Sequence, residues 1–175
     1  MFLSSTIQTQ IGEVVIRKAE TKDADSVLGI MRDAAIWLED CGIDQWRVIL
    51  TPTFLKVVQD RVNGGCTYLA SFNGQDIGTI TIQWEDPYSW GEKGKDGLAG
   101  YIRGMTVLRK YAGKGIGRDM LNWGMRVIAE NRPFVRLDCM TENQRLCRYY
   151  EEMGFRSEGQ KTLDNGFRTN LYEKN

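Results

Sequence analysis

The 175-residue chain predicts an α/β domain of about seven strands and about four helices, on three observations. Strand-like and helix-like patterns alternate along most of it. Hairpin signals stand at "NGQD" and "LDNG". A glycine-rich stretch, "RKYAGKGIGRDML", lies where a strand hands over to a helix. The length suits one domain, 1–175, large enough to bury a real core. There is no internal repeat, low-complexity tract or linker.

The elements follow in order. "EVVIRKAE" alternates apolar and polar residues and reads as a strand. Thr21 or Asp23 can cap a helix whose Val27, Ile30, Met31, Ala34, Ala35 and Leu38 recur at spacings of three and four. "DCGIDQW" breaks it. A second helix restarts in "TPTFLKVVQDRVNGG", with Thr51 as cap, Pro52 at its first position, and Gly64 and Gly65 at its end. "CTYLASFNGQDIGTITIQW" is a hairpin, "EDPYSWGEKGKDG" a polar loop and "LAGYIRGMTVL" the next strand. The glycine stretch then opens a helix reaching about Asn131. "FVRLDCM" is a strand, "ENQRLCRYYEEM" a helix, and the remainder a hairpin turning at Asp164, Asn165 and Gly166.

Composition removes several kinds of chemistry. Lys plus Arg equals Asp plus Glu at 23 each, so no global charge points to nucleic acid or a membrane surface. No segment is apolar for the roughly 18 residues a membrane span needs, and the start has no basic region or cleavage signal. A soluble, cytoplasmic protein is expected. The chain has no histidine, which excludes Ser-His-Asp and Cys-His catalysis. Cys41, Cys66, Cys139 and Cys147 form no C-x-x-C pair, so reduced structural thiols and no metal site are expected. Any general base must be a carboxylate, a tyrosine, a cysteine, a terminus or water.

Gly113, Gly115 and Gly117 alternate between Lys114, Ile116 and Arg118. Glycine tolerates positive φ and close approach of a ligand. At a helix N-terminus, successive N–H groups and the helix dipole converge on one point, a nest for phosphate oxygens. A plain flexible turn is the alternative reading. A dinucleotide fingerprint would need Gly-x-Gly-x-x-Gly directly after the strand, with an acid about 20 residues on. Asp138 meets the second demand, but the pattern is Gly-x-Gly-x-Gly, and "LRKYA" separates Val107 from Gly113.

"DCMTENQRLCRYYEEMGF" places Asn143 seven residues before Tyr150 and ends its helix with "MGF". Together with "MTVLRKYAGKGIGRDML", this resembles the GNAT superfamily of acetyl-CoA-dependent N-acetyltransferases, most clearly over Ala99 to Phe155. The resemblance implies a mixed central sheet splayed between the fourth and fifth of the predicted strands. It implies acetyl-CoA as cosubstrate, with backbone groups of Met105, Thr106 and Val107 pairing with the pantetheine arm. The pyrophosphate signature then falls on Ala112 to Gly117, so Gly113, Lys114, Gly115, Ile116, Gly117 and Arg118 bind the cofactor. Ala112 departs from the family's Gln or Arg, leaving the contact to the backbone, with Arg118, Lys114 or Arg109 as sources of replacement charge.

By the same resemblance Asn143 contacts the cofactor, and it can also cap its helix. Tyr150 matches the tyrosine beside the cofactor sulfur, where a phenol of pKa about 10 can protonate a thiolate of pKa about 8.5. Tyr149 is expected to pack in the core or point away. A backbone N–H at Val107 or its neighbour would serve as oxyanion donor. Asp138 is the candidate general base, at a position where ribosomal-protein alanine acetyltransferases carry a glutamate. Glu85, Asp86 and a water chain are the alternatives.

Trp37, Trp46, Trp84, Tyr88 and Trp90 fall in segments that build the acceptor pocket in this family and offer cation-π contact to an amine. The expected activity is direct transfer of an acetyl group to a primary amine of a small molecule or peptide in a ternary complex. Cys139 and Cys147 keep an acetyl-enzyme route formally open. A non-catalytic acyl-CoA-binding sensor or scaffold is the alternative function. No nucleic acid and no membrane partner is expected, and the dimers common among relatives leave a homodimer open.

Overall fold

The computed structural model describes residues 4–175. Eight strands form one mixed sheet in the order β1-β2-β3-β4-β5-β6-β8-β7, and five α-helices accompany it. The chain divides into two compact units: residues up to Thr81 with Gly104–Gly124, and Ile82–Arg103 with Met125–Asn175. Strands β4 (Gln75–Gln83) and β5 (Ala99–Val107) and helix α4 (Ile116–Ala129) each carry residues of both.

In the first unit β1 (Ser4–Thr9), β2 (Gly12–Lys18) and β3 (Thr67–Phe72) run antiparallel to their neighbours. Strand β1 was not expected, which is why the sheet has eight strands and not seven. "SSTIQT" shows no apolar alternation and buries Ile7 alone in the core. It is a strand because its ladder with β2, Ser4↔Arg17 to Thr9↔Gly12, satisfies its backbone.

Helix α1 (Ala24–Asp40) buries all six of the residues its periodicity nominates. Val27, Ile30 and Met31 pack with Val58 and Val62 of α2 (Phe54–Asn63) and Leu69 of β3. Asp23, one of the two expected caps, stands at the N-cap of α1, but its carboxylate makes no capping bond to the helix. Asp23 accepts the Glu20 N–H at 2.8 Å and the Arg17 guanidinium at 2.6 Å, holding a 3-10 turn over Thr21–Asp23, while the Thr21 hydroxyl donates to Asn63. Helix α2 starts at Phe54, because the Thr51 hydroxyl turns back to the Val48 carbonyl at 2.6 Å.

In the second unit β5 pairs in parallel with β6 (Phe134–Met140), which is antiparallel to β8 (Arg168–Lys174), itself antiparallel to β7 (Arg156–Thr162). The β5/β6 ladder stops at Tyr101↔Arg136, although both strands continue. This is the expected splay, now between the fifth and sixth strands because β1 adds one to the count. The expected loop after β4 contains a further helix, α3 (Pro87–Trp90), started by Pro87 at its first position and by Asp86, whose carboxylate accepts the Ser89 N–H at 3.1 Å. Gly94 lies so close that a Cβ there would sit 2.2 Å from the Asp86 carbonyl oxygen. Trp90, Ala99 and Tyr101 form this unit's apolar cluster, with Phe134 and Leu171 against it. Helix α5 (Gln144–Glu152) follows β6. No helix among the described residues is long and apolar enough to cross a membrane.

Candidate functional site

The first unit carries the glycine turn. Gly113 and Gly115 both have φ of +76°, in the left-handed region that favours glycine. A Cβ at Gly113 or Gly117 would meet no atom within 4 Å, so a ligand can approach the backbone. The Gly115 carbonyl accepts the Asp119 N–H at 3.1 Å. The N–H groups of Ile116, Gly117 and Arg118 therefore precede the first intrahelical donor and are available to an acceptor from outside. Lys114 and Arg118 are exposed beside them. An anion fits this turn: donors and helix dipole converge on it, and two exposed cations stand next to it in sequence.

The surroundings explain how the turn is held. The Arg109 N–H donates to Asp33 of α1 at 2.6 Å, and the Arg109 guanidinium lies 3.7 Å from the Trp37 ring centroid. Arg109 is thereby committed to α1. Ala112 is extended and donates its N–H to the Arg109 carbonyl. Gln10, from the β1–β2 turn, brings its carboxamide to 3.5 Å from the Cβ position of Gly115. Nothing in the local sequence pointed to Gln10, which the β1–β2 hairpin delivers. Met105, Thr106 and Val107 close β5, with Thr106 buried. Gly104, φ +56°, puts a left-handed irregularity in the strand just before them.

The second unit carries two sets of chemical groups on opposite faces of β6. On one face Arg136 and Asp138 alternate, opposite Glu173 and Leu171 of β8. Asp138 lies 3.2 Å from Arg103 Nη1. The same nitrogen bonds Asp86 and lies 2.8 Å from Ser89 Oγ. Burial lifts the Asp138 carboxyl above its ordinary value, Asp86 adds to the rise, and Arg103 and a hydrogen bond from Ser89 oppose it. Of the two alternative bases, Asp86 is buried and committed to Arg103 and the α3 cap, and Glu85 is exposed. Arg103 was absent from the sequence reading because it stands 35 positions before Asp138, and the two meet only because β5 and β6 run side by side just past the end of their ladder at Tyr101↔Arg136.

On the other face Cys139 Sγ lies 3.5 Å from Cys147 Sγ of α5, and the Asn170 carboxamide donates to Cys147 at 3.2 Å. Both thiols are buried, and burial beside Cys147 pushes the Cys139 thiol far up. Asn143 caps α5 by accepting the Leu146 N–H at 3.2 Å. Tyr150 is buried at 8% exposure, its ring 5.9 Å from Phe155 and 6.0 Å from Tyr172. Burial, then the neighbouring Cys139, raises its phenol above the ordinary value and keeps it protonated at neutral pH. Tyr149 is half-buried, so Tyr150 is the more enclosed of the two.

The five aromatic residues divide between the units. Trp37 is stacked on Arg109, and Trp46, in the left-handed region at φ +73°, packs on the first unit's core. In the second unit Trp84 and Tyr88 are exposed at 38% and 48%, whereas Trp90 is buried, its indole N–H without an acceptor among the described residues.

The chain matches the family model for the acetyltransferase (GNAT) family over residues 32–155. It is 26% identical over 142 residues to a Bacillus subtilis protein described as the uncharacterized N-acetyltransferase YesJ, covering 77% of each chain. A GNAT-family acetyltransferase of Listeria monocytogenes superposes with a TM-score of 0.80 at 28% identity, over 97% of this chain and 99% of that one. The ribosomal-protein-alanine N-acetyltransferase of Brucella melitensis shares the fold, with a TM-score of 0.66 at 18% identity over 91% and 98% of the two chains. The alternating glycines at the start of α4, the splayed β5 and β6, and the match over residues 32–155 agree: this chain belongs to the GNAT family of acetyltransferases.

Proposed function

We propose that the protein transfers an acetyl group from acetyl-CoA to a primary amine of a small molecule or peptide, directly and within a ternary complex. The observation that carries this reading is the turn from Gly113 to Arg118, open at its glycines and placed ahead of the first intrahelical donor, the Asp119 N–H. Its backbone would hold the pyrophosphate, with Lys114 and Arg118 adding charge and no side chain needed from Ala112. The backbone of Met105, Thr106 and Val107 would hold the pantetheine amides, and Asn143 would contact the cofactor while capping α5.

Acetyl-CoA, when bound, supplies the electrophilic carbonyl and the leaving thiolate. An amine of pKa near 10 is mostly protonated at neutral pH, so a base must take its proton before attack. Asp138 is the group in this role, its raised carboxyl being better matched to a proton near neutrality than an ordinary aspartate. Tyr150 holds the proton for the thiolate, since burial keeps its phenol neutral. The protonated Cys139 supports direct transfer, because the thiolate an acetyl-enzyme would require is disfavoured.

The test is release of free thiol from acetyl-CoA across a panel of amines, amino acids and peptides, with Tyr150→Phe alongside. Turnover with at least one primary amine, lost in the variant, is expected. Coenzyme A binding by calorimetry with no thiol released by any acceptor would favour a binding protein of the same fold.

A further inference from the structure

One guanidinium serves two carboxylates in the second unit, one buried and one part-buried. Arg103 Nη1 contacts Asp86, Ser89 Oγ at 2.8 Å and Asp138 at 3.2 Å. Asp86 is committed on both sides, since its other oxygen accepts the Ser89 N–H. It is also 6% exposed on its side chain, where an unpaired charge is costly. Asp138 has the longer contact and the more open side chain, at 11%. Asp86 therefore has first claim on the arginine, and Asp138 has what remains.

We propose that Arg103 positions Asp138 for proton abstraction by dividing its charge between two carboxylates, with Asp86 as the competitor that keeps Asp138 basic. This rests on the reading of Asp138 as the general base. A carboxylate fully paired with arginine is a weak base, and a buried one with no countercharge holds its proton too tightly. Sharing leaves Asp138 between those limits. On its own face of β6 it meets Asp86 and Ser89 from the α3 segment and Arg103 from β5, with Tyr88 near Arg103; Cys139 and Tyr150, on the other face, are the further titratable groups within electrostatic reach. Leu171, opposite on β8, brings no charge. Among them Arg103 is the cation, and burial is outweighed by Asp138 and Asp86 in keeping it charged.

Two substitutions must then act in opposite directions. Asp86→Asn removes a like charge and frees Arg103 for Asp138, while the amide oxygen can still cap α3. The acid limb of the kcat/KM profile moves down by about one pH unit. Arg103→Gln leaves two carboxylates without a cation, and the limb moves up by about one unit. Arg103→Lys restores most of the wild-type position.

Carbon-13 NMR of the Asp138 carboxyl, titrated in the protein without acceptor, reads the same displacements independently of turnover. Opposite shifts in Asp86→Asn and Arg103→Gln support the proposal. Unmoved midpoints, or shifts in one direction for both, overturn it. If Arg103→Gln does not fold, Asp86→Asn decides alone: a lowered midpoint supports the proposal and an unchanged one overturns it. Should the carboxyl midpoints move while the acid limb stays fixed, Asp138 is not the base, and the positioning role falls with it.

Discussion

Arg136 and Arg103 project from neighbouring strands of the second unit, each beside acids, and their partners are arranged differently. Arg136 is 1% exposed on its side chain, and every nitrogen is engaged. Nε bonds Glu173 at 2.7 Å, Nη2 bonds Asp96 at 2.8 Å, and Nη1 bonds the Tyr101 hydroxyl and the Lys93 carbonyl. It pins the 3-10 segment Gly91–Lys95 to three strands. Arg103, 21% exposed, meets two carboxylates that compete for a single nitrogen. A buried arginine with all its bonds satisfied stabilises structure; one divided between acids leaves an acid whose proton affinity can be used.

The contrast can be broken most forcefully at Arg136. Arg136→Met leaves Asp96 without its paired cation and Glu173 with Lys93 alone, at 3.3 Å, and should cost about 3 kcal/mol in denaturant unfolding, because breaking one side of a buried pair strands the other. Arg103→Gln should cost clearly less stability while moving the pH profile; equal losses would erase the distinction. Next in size, Tyr150→Phe should lower turnover about 100-fold with little change in melting temperature, since its contacts with Tyr149, Phe155 and Tyr172 are made by the ring.

A smaller effect is expected in the first unit. Gly113→Val forces a branched side chain into a φ of +76° and should cost about 1–2 kcal/mol, with weaker coenzyme A binding by calorimetry. The smallest is a pH slope. Unfolded, Asp138 ionises near 3.9; folded, it does so at higher pH. Below the unfolded value both states hold the proton. As pH rises through the folded value the native state must hold a disfavoured charge, and that contribution to stability is lost. Asp138→Asn removes this loss, so the variant should gain on the wild type as pH rises and level off above the folded value. A constant difference from pH 3 to 8 would show that Asp138 is not the perturbed group.

Periodic burial was legible from the residues. The face of α1 from Val27 to Leu38 is buried as its spacing predicted. Glycine and asparagine also marked the β3–β4 turn, where Asn73 at +49° and Gly74 at +77° adopt positive φ. The signals for α3 were present in "EDPYSW", an aspartate before a proline, but they lay inside a segment that reads as loop. Strand β1 carried no signal, because its stability comes from a partner strand and not from its own pattern.

The site divides in the same way. The glycine turn is a local device, since left-handed φ and a helix N-terminus depend on neighbours in sequence, and its residues could be named from the sequence. Asp138 could be nominated too, but not its chemistry. The residues that set its proton affinity, Asp86, Ser89 and Arg103, are brought to it by the β5/β6 register and by α3. Sequence by itself determined the alternation of strands and helices, the family likeness and the glycine turn, because these rest on local periodicity and backbone freedom. Tertiary structure alone decided which arginine is satisfied and which is shared. Burial and charge pairing are sums over distant residues, and no stretch of sequence contains them.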